Sequence, residues 1–130
     1  MKATKLFSIL IIDDMADNEK ISRHSSLLHS LFTRGRHDSI SCVCSVQKYT
    51  SLAQIIRVNC TTLICYRLRN YKDLEAVLDE NAALVDRKIL LEIYHLATHE
   101  PYSFLYINLT APSIKNMFFK NFNQKILVEE

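Results

Sequence analysis

The chain of 130 residues contains one glycine, Gly35. Average usage near 7% would supply about nine. Loops whose backbone N–H groups cradle phosphate need several glycines within a few residues, so no such loop can be built from these 130 residues. The rest of the composition is ordinary for a folded protein: 48% apolar, 23% charged and 9% aromatic. A core is therefore affordable, disorder is not expected, and the length argues for one compact domain, excluding a two-domain enzyme. Charge is unevenly placed, with ten Lys/Arg against five Asp/Glu in residues 1–70 and six against nine in residues 71–130. The first half is thus +5 and the second −3, while the net charge of +2 is too mild by itself to announce a nucleic-acid binder.

No apolar stretch approaches the roughly 20 residues that cross a bilayer. The run Ile9-Leu10-Ile11-Ile12 is cut by Asp13 and Asp14. With no signal-peptide pattern at the start, the expectation is a soluble, unsecreted protein without a membrane partner. Cys42, Cys44, Cys60 and Cys65 show neither a CxxC pair nor a zinc-finger spacing and read as reduced core residues of an intracellular protein. The sequons at Asn59 and Asn108 then carry no glycosylation meaning.

Periodicity alternates strand and helix. Leu6 to Ile12 is apolar on both faces, as in a strand covered on each side. From Asn18 to Arg34, the residues Ile21, Leu27, Leu28, Leu31 and Phe32 recur at helical spacing, with Asp17 or Asn18 as cap and Gly35 as stop. Ser39 to Val46 follows as a strand, Ser51 to Ile56 as a short helix, and Thr61 to Leu68 as a third strand. Helices over Asp73 to Leu84 and Asp86 to Thr98 precede a strand over Ser103 to Leu109. Phe118, Phe119 and Phe122 in the polar, aromatic tail are spaced to form one helical face. The fold expected is α/β, a mostly parallel sheet flanked by helices, with right-handed crossovers.

Ligands of such sheets gather beyond the carboxyl ends of the strands. Those positions are Asp13 and Asp14, then Gln47 and Lys48, then Arg67 and Arg69. An apolar strand ending in two carboxylates is the Walker B pattern, able to hold hydrated Mg²⁺ and an attacking water; the same string also begins a turn and caps a helix. A receiver domain of two-component signalling starts in a similar way, but its phosphate-accepting Asp after the third strand is replaced here by Arg67 and Arg69.

Four further features stand in order: the Asp13-Asp14 strand end, the segment Leu31-Phe32-Thr33-Arg34-Gly35-Arg36-His37, the strand ending Val46-Gln47, and Arg57-Val58-Asn59. Over roughly residues 6–110 this resembles the DNA-packaging ATPases of nucleocytoplasmic large DNA viruses, the poxvirus-type branch of the FtsK/HerA superfamily of P-loop NTPases. The resemblance implies Asp13 as the Mg²⁺ ligand, Asp14 as general base for the attacking water, Gln47 as sensor, and Arg36 as the arginine that reaches an adjacent subunit's nucleotide. A solvated loop charge at Arg36 and an ordinary strand-end amide at Gln47 are the plainer alternatives.

Family members also carry a Gly-x-x-x-x-Gly-Lys-Ser/Thr loop, which is missing here. The expectation is thus that residues 1–112 form the carboxyl-terminal half of a P-loop ATPase core, with 113–130 as tail. ATP and Mg²⁺ are implied by resemblance only, and tight binding by this chain alone is not expected. The implied partners are a polypeptide supplying the phosphate loop, or an intact ATPase ring, together with double-stranded DNA, in an oligomer at the host cytoplasm, viral factory or virion. The alternatives are a non-catalytic module that regulates an intact ring, and a degenerate receiver-like domain. Arg57, Arg67 and Arg69, with Lys72, Tyr66 and Tyr71, form a basic and aromatic group suited to nucleic-acid phosphates or to a solvated strand end. His95 and His99 have the i, i+4 spacing of zinc ligands but no third ligand, and no metal is assigned to them. A half-fold leaves a bare sheet edge, so self-association is expected.

Overall fold

A computed structural model describes residues 8–13, 26–35 and 37–129. The chain divides into two compact units, Met1–Asn59 and Cys60–Glu130. Each unit has a core of its own, Leu28, Leu52 and Ile56 in the first and a larger cluster around Leu90, Leu105, Ile107 and Phe118 in the second.

In the first unit, β1 (Ser8–Ile12) lies parallel to β2 (Ile40–Cys44), in register from Ser8↔Ile40 to Ile12↔Cys44. The ladder continues at both ends, with Ser8 N–H donating to the Ser39 carbonyl (3.0 Å) and Ser45 N–H to the Ile12 carbonyl (2.9 Å). Parallel neighbours require a crossover, and α1 (Ser26–Arg34) lies on it. Leu28 of α1 is buried against Leu52 and Ile56, with Ile12, Phe32, Cys44 and Val46 closing around them. The helix start expected at Asp17 or Asn18 lies outside the described residues. The short helix expected over Ser51 to Ile56 is instead a 3₁₀ turn, Tyr49–Ser51, followed by α2 (Gln54–Val58).

Gly35 ends α1 as expected, though for a different physical reason. Its φ is not in the left-handed region, which Ser39 occupies instead (φ 57°). The Gly35 N–H donates to the Leu31 carbonyl (3.0 Å), and its own carbonyl accepts from Asp38 (3.1 Å) and Ile40 (2.8 Å). That geometry folds the helix end onto the start of β2. A Cβ at this position would overlap the Leu31 carbonyl oxygen and press on that of Ile40 at 3.1 Å.

The second unit holds β3 (Thr62–Tyr66), α3 (Tyr71–Glu80), α4 (Arg87–Thr98), β4 (Phe104–Asn108), a 3₁₀ turn (Ile114–Asn116), β5 (Phe118–Lys120) and β6 (Gln124–Lys125). These strands form one antiparallel sheet in the order β3-β4-β5-β6. The expected mostly parallel sheet is therefore corrected: the fold is mixed α/β, parallel in the first unit and antiparallel in the second. The reason lies in the helix count. One crossover helix returns a chain to the starting end of a strand, whereas two in succession, joined here by residues 81–86, deliver β4 at the end where β3 finished. The pairing Tyr66↔Phe104 records this.

Asn70 and Asp86 cap α3 and α4 by accepting from the backbone N–H of Lys72 (2.9 Å) and Lys88 (2.8 Å). Buried Tyr94 of α4 accepts the Leu68 N–H at its hydroxyl (2.7 Å), tying the exit of β3 to the helix layer. The terminal aromatic segment is a hairpin and not the helical stripe expected of it. Phe118 is fully buried in the core, and Asn121, at φ 55°, bonds the Phe104 backbone through both its N–H (2.9 Å) and its side-chain oxygen (3.2 Å). All four cysteines are free thiols, and burial, reinforced by Asp73, pushes the Cys65 thiol up to about 12.

Gly35→Ala is expected to destabilise the first unit by about 1–3 kcal/mol, the range for forcing an extra carbon into packed structure; urea unfolding of the variant measures it. A second expectation concerns acid. Hydrogen bonds from the Tyr71 hydroxyl and from Arg87 hold the Glu75 carboxyl below its ordinary value of 4.5. A depressed folded pKa gives stability that is present above the unfolded value and lost as pH falls through the folded one. Urea midpoints of the parent and Glu75→Gln should therefore differ at neutral pH and converge progressively below pH 4.5.

Candidate functional site

The parallel ladder decides which strand ends meet. Because Ile12 faces Cys44 and the Ser45 N–H still bonds the Ile12 carbonyl, Asp13 leaves β1 at the same edge at which Ser45, Val46 and Gln47 leave β2. Asp13 is exposed one residue past its strand, and Gln47 is exposed three residues past its own. A carboxylate and a carboxamide thus stand at neighbouring strand ends, open to solvent.

The loop carrying Gln47 is anchored on both sides. Before it, Val46 packs onto the Leu28, Leu52 and Ile56 core. After it, the Lys48 carbonyl accepts two hydrogen bonds from buried Ser51, one from its N–H (3.0 Å) and one from its hydroxyl (2.6 Å). Ser51 was not visible as a positioning residue in the sequence. Its signal is weak: a serine three residues after a strand-end lysine, the spacing at which a hydroxyl closes a turn on the backbone.

Asp14 and Arg36 lie outside the described residues. Arg57 belongs to the first unit, where its guanidinium lies 5.1 Å from the centre of the Tyr49 ring, a stacked cation. Arg67 and Arg69 belong to the second unit and are exposed where the chain leaves β3; one Arg67 nitrogen reaches the His99 carbonyl at 3.5 Å. His95 is exposed beside the Tyr94 ring (5.4 Å), and His99 is the residue following α4.

Among the described residues no group of three His, Cys, Asp or Glu side chains is placed to hold a metal. The described residues thus offer no ready-made cluster of the kind that holds zinc. An exposed strand-end carboxylate such as Asp13 is a ligand type that suits a different ion. Mg²⁺ keeps most of its water and is held by one or two carboxylates together with substrate phosphates. No helix among the described residues is long and apolar enough to cross a membrane.

The family described as Poxvirus A32 protein matches residues 1–126. Uncharacterized protein 075L of Invertebrate iridescent virus 6 is 27% identical over 105 residues, which are 81% of this chain and 40% of that protein. Among solved structures, the genome packaging NTPase B204 from Sulfolobus turreted icosahedral virus 2, in complex with ATP-gammaS, superposes with a TM-score of 0.59 at 16% identity, covering 81% of this chain and 48% of that one. The chain therefore spans less than half the length of either protein. The likeness to B204 is one of fold. With a match over almost its whole length, the chain belongs to the poxvirus A32 protein family.

Proposed function

We propose that this chain is the Walker B portion of a viral genome-packaging ATPase of the FtsK/HerA type, working as an oligomer on double-stranded DNA. The observation that carries the reading is the shared edge of β1 and β2, which brings the Asp13 end next to the Gln47 loop in a member of the poxvirus A32 family. In this reading Asp13 would hold Mg²⁺, and Asp14, the next residue, would accept the proton of the attacking water. Gln47 donates and accepts hydrogen bonds at the neighbouring strand end, orienting that water or sensing the terminal phosphate. Arg36 follows Gly35 at the helix end and supplies a planar, permanently charged donor for phosphate oxygens on an adjacent subunit. When bound, Mg²⁺ neutralises phosphate charge during transfer.

The phosphate-binding half comes from outside these 130 residues, since one glycine cannot build the loop. Whether a longer polypeptide or a separate one supplies it, the division of labour is the same. The other half binds the nucleotide's phosphates, and this half places the base, the metal ligand and the sensor. Tight ATP binding by this chain alone is accordingly not expected. A non-catalytic role beside an intact ring would need neither Asp14 nor Gln47, and that difference makes the reading testable.

Joined to or mixed with a family segment that carries the phosphate loop, the chain should support DNA-stimulated ATP hydrolysis. Asp14→Asn should lower kcat by about 10²–10⁴-fold, the usual contribution of a general base. Hydrolysis that is unchanged by Asp14→Asn, or a complex that assembles without any hydrolysis, would count against the catalytic reading in favour of the regulatory one.

A further inference from the structure

The outer face of the second unit's sheet is aromatic where solvent would ordinarily select polar side chains. Alternation along the strands sends Leu63, Cys65, Leu105, Ile107 and Phe118 into the core. The opposite positions pair as Ile64↔Tyr106, Tyr66↔Phe104 and Tyr106↔Phe119. A solvated face of an antiparallel sheet normally reads polar. Here Phe104 sits between Tyr66 and Phe122, with ring centres 5.2 Å and 4.9 Å apart, and Tyr106 continues the row to Phe119 at 5.5 Å. The two rings flanking Phe104 are open to solvent, Tyr66 at 55% and Phe122 at 66%.

Charge at this face has one sign. None of the outward strand positions Thr62, Ile64, Tyr66, Phe104, Tyr106, Asn108 and Phe119 is acidic. Lys125 is paired with Phe119 on the same side, its ammonium steadied by the Asn116 side-chain oxygen (2.6 Å). Exposed Arg67 and Arg69 emerge directly beyond Tyr66, at the end of the sheet where Phe104 begins β4. Glu100 is held by Lys120 at 2.9 Å, and the other carboxylates of the unit belong to α3, α4, the turn before α4, and the chain terminus.

We propose that this face binds single-stranded nucleic acid, with unpaired bases stacking on Tyr66 and Phe122 and phosphates meeting Arg67 and Arg69. Phe104 fixes the spacing of the two outer rings. A duplex keeps its base faces covered in the stack, whereas an unpaired base offers a ring a flat apolar face whatever its sequence. The strand's phosphates complement the guanidinium groups and find no carboxylate among the face positions. This site lies in the second unit and does not depend on the motor reading, which concerns nucleotide chemistry in the first unit and duplex DNA.

Fluorescence anisotropy with labelled oligothymidylate and with a duplex of equal length, each at two salt concentrations, tests the proposal on the full chain. Oligothymidylate should bind more tightly than the duplex. Tyr66→Ala and Phe122→Ala should each weaken it by about 5- to 160-fold, while Phe122→Tyr keeps a stacking ring and should bind as the parent does. Combining Arg67→Ala with Arg69→Ala should reduce the salt slope by about 1.4, two phosphate contacts at about 0.7 each. The proposal is overturned if oligothymidylate does not bind, or if the ring variants bind it unchanged. It is also overturned if sedimentation shows a self-associated species that Phe122→Ala dissolves and oligothymidylate does not compete with, since the rings would then form a protein interface.

Discussion

The parallel ladder between β1 and β2 is the interaction on which the candidate site depends. Its last bond, from the Ser45 N–H to the Ile12 carbonyl at 2.9 Å, carries the register past the end of Cys44 and into the loop that presents Gln47. In an antiparallel pair the same residues would leave at opposite edges, a five-residue strand apart, about 17 Å at 3.3 Å per residue. Parallel pairing in turn needs a crossover that ends cleanly. Gly35 provides that end, since its carbonyl receives the N–H groups of both Asp38 and Ile40 and no side-chain carbon stands in the way.

A two-stranded parallel sheet is a small platform, and the rest of the first unit is arranged to hold it. Leu28 from the crossover helix, Leu52 after the 3₁₀ turn and Ile56 from α2 meet beneath Ile12 and Cys44. Buried Ser51 fixes the Lys48 carbonyl, so the Gln47 loop is held by packing on one side and by hydrogen bonds on the other. The opposite face of this sheet, with Ile9 and Ile11 exposed, has the two-sided apolar pattern of a covered strand.

Much of this was legible in the sequence because it is local. A β-branched run stopped by Asp13 gives a strand end, apolar residues at helical spacing give α1 and α4, and Gly35 gives a stop. Strand direction is not local. β4 has the same apolar pattern whether it runs parallel or antiparallel to β3, and the outcome followed from two helices where a βαβ unit has one. The aromatic terminus misled for a related reason: Phe118, Phe119 and Phe122 fit a helical face, yet Asn121 in the left-handed region turns the segment back so that Phe118 is buried and Phe122 is exposed. Of the candidate site, the strand-end positions of Asp13 and Gln47 were readable, and the role of Ser51 was not. Asp14 and Arg36, outside the described residues, keep the roles that resemblance gives them as proposals.

The most direct test is a through-hydrogen-bond NMR coupling between the Ser45 amide nitrogen and the Ile12 carbonyl carbon, read on the uniformly labelled chain. The parallel register requires that coupling, together with cross-strand contacts that advance in the same direction along both strands. Close Hα–Hα contacts between β1 and β2, the signature of antiparallel neighbours, would contradict it and would separate Asp13 from Gln47.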